Sequence, residues 1–173
     1  MAKKKAKFKV VYNAPVTLTF AIWAVIVLAV NQFVAEGLIP SLFTVPGKIG
    51  SEMAFRWSNP LDYVRFFTHV LGHDDWSHLL GNMSFILLLG PLLEERYGSP
   101  VLALMMSITA LVTGVVNVCF FSRPMVGASG IAFMMILLSS FTARTALRAS
   151  MISFFATVIV VGRKEVTPFC ATP

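Results

Sequence analysis

The sequence predicts an all-α fold, a polytopic bundle of transmembrane helices. Hydrophobic residues make up 57% of the 173 residues and charged residues 13%, whereas soluble domains average roughly 45–50% and about 25%. Apolar runs close to the ~20 residues that a membrane span requires recur along the chain. The charged residues collect between these runs, so the pattern indicates about five spans rather than one soluble core.

Each predicted span has recognisable ends. Pro15 and Pro100 stand where a first helical turn tolerates the missing N–H, and the charged cluster at residues 94–96 ends the second span. The connection between the first two spans contains three prolines and is rich in aromatic residues, which predicts short helices lying at the membrane interface. The predicted spans are residues 16–35, 77–93, 101–121 and 125–143, the connection is residues 36–76, and a shorter apolar run occupies 149–161.

The charge distribution predicts the orientation and the domain boundaries. The net charge of +6 does not form one patch that would suit nucleic acid, because five lysines precede the first span and the other basic residues stand at span ends. Such a basic segment predicts a cytoplasmic N-terminus, and a membrane anchor is favoured over a cleaved signal peptide because more spans follow. We therefore predict a basic N-terminal segment (1–14), a transmembrane domain (15–165) and a C-terminal segment (166–173).

Two groups of polar residues stand where polar residues are costly. His78 and Asn82 are four residues apart, so they share one face of the second span, with His73 and His69 shortly before them. An interhelical hydrogen-bonded pair is the simpler interpretation of His78 and Asn82. A metal site is a weaker one, because no carboxylate or thiolate joins the histidines at a convincing spacing and Cys119 and Cys170 are isolated.

The string Gly127-Ala128-Ser129-Gly130 opens the fourth span. A serine at a helix N-terminus lies beside free backbone N–H groups and the positive end of the helix dipole, where an oxyanion is stabilised. Close helix packing also explains small residues in a membrane helix, and for the string alone it is the favoured interpretation. The string alone therefore leaves catalysis and packing both open.

Together these motifs resemble the rhomboid family. The likeness rests on RFFTHVLGH at residues 65–73, on His78 and Asn82, on ERYG at residues 95–98, and on GASG at residues 127–130, and it covers about residues 15–165 in helix order. The resemblance implies a six-helix core that cleaves transmembrane segments of other proteins without a metal or organic cofactor. It implies Ser129 as the nucleophile, His78, Asn82 and the Ser129 N–H as the oxyanion hole, and His73 as a supporting residue.

The sequence departs from the family pattern in two places. All three histidines precede Ser129, whereas rhomboids carry their base histidine on the sixth helix, and Val64 stands where the family usually has tryptophan. We expect a partial sequence of an active protease, inactive by itself without that histidine. The alternatives are a catalytically silent membrane binding protein or chaperone of the same fold and, less favoured, a small channel. The short basic N-terminus suggests a bacterial cytoplasmic membrane.

Overall fold

A computed structural model describes residues 14–142 of the chain. These residues form six α-helices and one short 3₁₀ helix, and no β-strand occurs among them. The elements are α1 (Pro15–Phe33), α2 (Leu38–Leu42), α3 (Pro60–Thr68), the 3₁₀ helix His69–Leu71, α4 (Trp76–Tyr97), α5 (Ser99–Phe120) and α6 (Ser129–Thr142). The all-α prediction is confirmed. The predicted run at 149–161, residues 1–13 and the C-terminal segment 166–173 lie outside the described residues.

Three helices in the described part of the chain, α1, α4 and α5, are long and apolar enough to cross a membrane. Each buries one stripe of residues and leaves large aliphatic side chains exposed on the opposite face, such as Ile22 on α1, Leu88 on α4 and Ile108 on α5. Exposed apolar faces of this extent are stable in contact with lipid rather than water. The protein is therefore an integral membrane protein, as its composition predicts.

Helices α1 and α4 pack closely through small residues. A Cβ atom added to Gly90 of α4 would overlap the Thr17 side chain of α1. Glu94 of α4 accepts hydrogen bonds from the Val16 and Thr17 N–H groups, at 2.9 and 3.0 Å, and from Thr17 Oγ1 at 2.8 Å. These N–H groups have no partner within α1, so a carboxylate at the positive end of the helix dipole satisfies them.

The second predicted span therefore ends later than expected. The charges that follow residue 93 predict an end there, but α4 continues to Tyr97. Glu94 is only 3% exposed, because its carboxylate accepts hydrogen bonds from the start of α1 instead of facing water. Gly98, with φ of 83°, ends the helix, and Pro100 lies in the first turn of α5.

The first connection folds into a compact loop that includes α2, α3 and the 3₁₀ helix, as predicted. The buried Arg65 guanidinium joins its two halves, because it pairs with Asp62 at 2.5 Å and donates through Nε to the Ser41 carbonyl at 3.0 Å. Phe66 of α3 packs against Gly114 of α5, where a Cβ atom would lie 2.7 Å from its ring. The loop is thereby fixed to one end of the helices.

The same loop holds the chain that leads into α6. Val45 and Met125 form an isolated antiparallel bridge with two N–H···O bonds of 2.9 Å. Helix α6 therefore begins at Ser129 rather than at the predicted residue 125, because residues 125–128 are held in extended and turn conformations. Of the described residues, 14–135 belong to one compact unit and 136–142 to a second.

Candidate active site

The N-terminus of α4 places two of the predicted residues. The Asp75 side chain caps the helix by accepting from the His78 N–H at 2.8 Å, which sets His78 in the first helical turn. Asn82 follows one turn later on the same face. Asn82 is 8% exposed, while the His78 side chain is 30% exposed. The pair therefore runs from the mouth of the site into its interior.

Ser129 meets this face of α4 from the first position of α6. Its Oγ lies 3.3 Å from Nε2 of His78, within hydrogen-bond reach across 51 positions of sequence. Gly127, two residues earlier, has φ of 114°, a conformation that favours glycine. A Cβ atom at Gly127 would stand 2.7 Å from Cε1 of His78. The glycine thus permits the close approach of the turn to the imidazole.

His73 lies behind Asn82. It is completely buried, and its Nε2 is 3.1 Å from Nδ2 of Asn82. Its ring packs edge-on against the His78 ring with centroids 5.1 Å apart. The structure therefore brings together all four residues that the sequence analysis named, Ser129, His78, Asn82 and His73.

The two neighbouring imidazoles differ in environment. Burial and, to a smaller extent, the nearby His78 lower the pKa of His73 to about 4, while a backbone hydrogen bond at Leu71 and the Asp75 carboxylate act against this shift. His73 is therefore a neutral imidazole at physiological pH. His78 faces the Asp74 carboxylate, whose Oδ2 lies 3.8 Å from Nδ1. This distance is too long for a hydrogen bond, and both side chains are partly exposed, so the contact stabilises the site little.

His69 has a separate, structural position. Its Nδ1 lies 3.1 Å from the Arg65 carbonyl oxygen, and its own carbonyl accepts from the Gly127 N–H at 3.0 Å. Burial lowers the pKa of His69 as well. His69 and His73 do not share a helical face, because the 3₁₀ segment that follows α3 ends at Leu71. Within residues 14–142, no group of three or more His, Cys, Asp or Glu side chains is suited to a metal ion.

Two features of the site were not anticipated from the sequence. Asp74 lies beside the His78 ring, and its position four residues before a histidine is the signal that was available. Thr113 of α5 contacts the site from another side, with Oγ1 3.5 Å from Nε2 of His69 and Cγ2 2.8 Å from a Cβ atom added to Gly130. No spacing in the sequence indicates that contact.

The fold and these contacts define a class: a helical integral membrane protein with a hydroxyl, two imidazoles and an amide gathered at one end of its spans. The family model of the Rhomboid domain matches residues 60–164, which is 105 of the 173 residues. The chain belongs to the rhomboid family, a family of intramembrane proteases. No curated protein matches the chain in a sequence comparison.

Proposed function

We propose that the protein is a serine endopeptidase that cleaves transmembrane segments of other membrane proteins. Ser129 is the nucleophile, and His78, Asn82 and the Ser129 N–H form the oxyanion hole, with His73 in support. The observation that carries the proposal is the 3.3 Å approach of Ser129 Oγ to Nε2 of His78. Membership of the rhomboid family supports the same reaction class.

The arrangement suits acyl transfer. Ser129 Oγ would attack the scissile carbonyl carbon while its proton passes to a base, and the carbonyl oxygen would become an oxyanion. Donors fixed in advance stabilise that charge, and one such donor is worth about 10²–10³ in rate. Breakage of the C–N bond releases the amine with the transferred proton. Water then hydrolyses the acyl-enzyme, releasing the acid and restoring the serine hydroxyl.

The substrates we propose are membrane proteins whose spanning helix unwinds easily near one membrane surface. A stable helix keeps its carbonyl groups in hydrogen bonds, and each group left unsatisfied in hydrocarbon costs several kcal/mol. Ser129 lies at the N-terminal end of α6, and its side chain is exposed, so an unwound segment would meet it at the end of the spans. Lipid is the other partner, and nucleic acid is not.

The source of the base separates this proposal from its alternative. All three histidines precede Ser129, and the roles proposed here use His78 as a donor and leave His73 neutral and buried. The protease proposal therefore requires a base other than these three histidines in their proposed roles. A catalytically silent membrane binding protein of the same fold requires none.

Labelling by a fluorophosphonate probe tests the nucleophile. We expect the membrane-reconstituted product of the native gene to be labelled, and Ser129→Ala to abolish the labelling. Ser84→Ala is the matched control, because Ser84 is an exposed serine on α4 that bonds only its own helix, at the Leu80 carbonyl. Equal labelling of the Ser129→Ala variant and the wild type would refute the proposal. Capture of a transmembrane substrate without any cleavage would favour the binding protein instead.

The same assay examines His78. A glutamine keeps an N–H donor at this position, while a leucine has none. If His78 is an oxyanion donor, His78→Leu should lose about 10²–10³ in labelling rate and His78→Gln distinctly less. Equal and complete loss in both variants would indicate instead that the imidazole itself moves the Ser129 proton.

A further inference from the structure

The Asn82 amide has more hydrogen-bonding capacity than an oxyanion would use. Its NH₂ group carries two N–H donors in a fixed plane. One of them points to the buried Nε2 of His73, at 3.1 Å. The same nitrogen is 3.7 Å from the position where a Cβ atom on Gly127 would stand. The second N–H is therefore available to the space above the turn that precedes Ser129.

His73 is held rigidly enough to orient another side chain. It is 0% exposed, and the preceding Gly72 lies so close to the loop and to the α6 approach that a Cβ atom there would stand 2.7 Å from both Phe43 Cβ and Val126 Cγ2. The Gly72 N–H also bonds to the His69 carbonyl at 3.2 Å. On its other side the His73 ring packs against His78. The imidazole thus has little freedom to rotate or withdraw.

The direction of the His73–Asn82 hydrogen bond depends on the proton of His73. A neutral imidazole with its proton on Nδ1 presents Nε2 as an acceptor, whereas a protonated one presents an N–H to the Asn82 amide. Desolvation keeps the ring neutral until the pH approaches its lowered pKa of about 4. The charged and titratable groups that face it are His78 and Asp75, which act in opposite directions.

We propose that His73 is a positioning residue whose Nε2 accepts one N–H of Asn82 and so aims the other N–H at the oxyanion formed on Ser129. This inference rests on the proposed function and adds a specific role to it. His73 does not touch the substrate. Its effect on the reaction passes entirely through Asn82, and that dependence is what an experiment has to measure.

The dependence of the His73 effect on Asn82 is measured by a double-mutant cycle. The quantity compared is the rate at which fluorophosphonate labels the reconstituted native gene product. Asn82→Ala should slow labelling by about 10²–10³-fold, as loss of an oxyanion donor does. His73→Phe keeps a flat ring without an acceptor, and we expect about a tenfold loss or more because Asn82 is no longer aimed. In the Asn82→Ala background, His73→Phe should add less than about twofold, since the residue through which it acts is gone.

Two further variants separate positioning from packing. His73→Gln supplies an amide oxygen that accepts from Asn82, so it should recover much of the rate that His73→Phe loses. His69→Gln is the matched control, because His69 is another buried imidazole but has no contact with Asn82. Any loss in that control should multiply with the Asn82→Ala loss instead of disappearing.

The outcomes are distinct. If the His73 and Asn82 effects multiply, or if His73→Gln is no better than His73→Phe among folded variants, the positioning role is wrong while the protease proposal stands. If His73→Phe does not yield a folded protein, His73→Leu, which also lacks an acceptor, completes the cycle with Asn82→Ala: a multiplicative result overturns the role. Labelling that is indifferent to Ser129→Ala would remove the proposed function itself.

Discussion

His73 and His78 are chemically identical residues that the fold places in different environments. His73 is fully buried behind Asn82, whereas the His78 side chain is 30% exposed beside Asp74. A buried imidazole resists protonation because its charged form loses hydration. The fold thus provides, five residues apart, one imidazole suited to accept a hydrogen bond in the interior and one accessible at the mouth of the site.

Burial of neutral His73 predicts a pH-dependent stability. Its pKa is about 4 in the folded protein, below the ordinary value of 6.5, so the unfolded chain binds a proton more readily. Protonation of His73 therefore leaves the free energy of unfolding unchanged above pH 6.5. It lowers that free energy by about 1–3 kcal/mol as the pH falls from 6.5 towards 4. His69, whose pKa is also lowered, acts in the same direction.

We expect the thermal midpoint in detergent to fall between pH 7 and pH 4.5, and His73→Phe to reduce that fall. His78→Phe is the comparison, because it replaces the neighbouring imidazole of the same site, whose side chain is 30% exposed. A midpoint that changes equally with pH in wild type and His73→Phe would show that another group dominates.

At the scale of helices, one buried carboxylate joins the end of α4 to the beginning of α1. Glu94 accepts hydrogen bonds from two backbone N–H groups and one hydroxyl group of α1. Hydrogen bonds to a charged group are worth about 1.5–3 kcal/mol, and an unsatisfied buried partner adds its own desolvation cost. The contact therefore fixes the position of α1 along α4. Packing of the two apolar faces alone specifies this position only loosely.

Replacement of this carboxylate should destabilise the helix pair. We expect Glu94→Gln to lower the free energy of unfolding by about 1–3 kcal/mol, because the amide carries no charge and one oxygen fewer to accept the α1 donors. Glu95→Gln, one residue later and exposed, should change it by less than about 0.5 kcal/mol. Thermal unfolding of the two variants measures the difference, and equal midpoints would contradict the role of Glu94.

The helices were more predictable from sequence than the contacts between them. Span length and missing charge place α1, α4 and α5 within a few residues, because these properties are local. The role of Glu94 was missed because it depends on which helix packs against it, and charge alone suggested a helix end. The approach of Ser129 to His78 spans 51 positions, and only the family resemblance indicated it.

For the whole molecule, the structure fixes which ends of the spans lie together. The Val16 N–H reaches Glu94, so the start of α1 and the end of α4 share one side, and α1 carries the chain from residue 15 across to the loop at residues 36–75. The lysines ahead of α1 predict that the side of Glu94 is cytoplasmic, because basic residues are retained inside. The five are Lys3, Lys4, Lys5, Lys7 and Lys9.

Cysteine accessibility in intact cells tests this orientation. With Cys119 and Cys170 replaced by serine, we expect Glu52→Cys in the loop to react with a membrane-impermeant maleimide applied outside. Glu95→Cys should react only after permeabilisation; both positions are exposed in the fold, so access differs by side and not by burial. The reverse pattern would place the loop and Ser129 on the cytoplasmic side. Cleavage would then occur near the inner surface. The basic residues of the loop and later connections, rather than the N-terminal lysines, would determine the orientation.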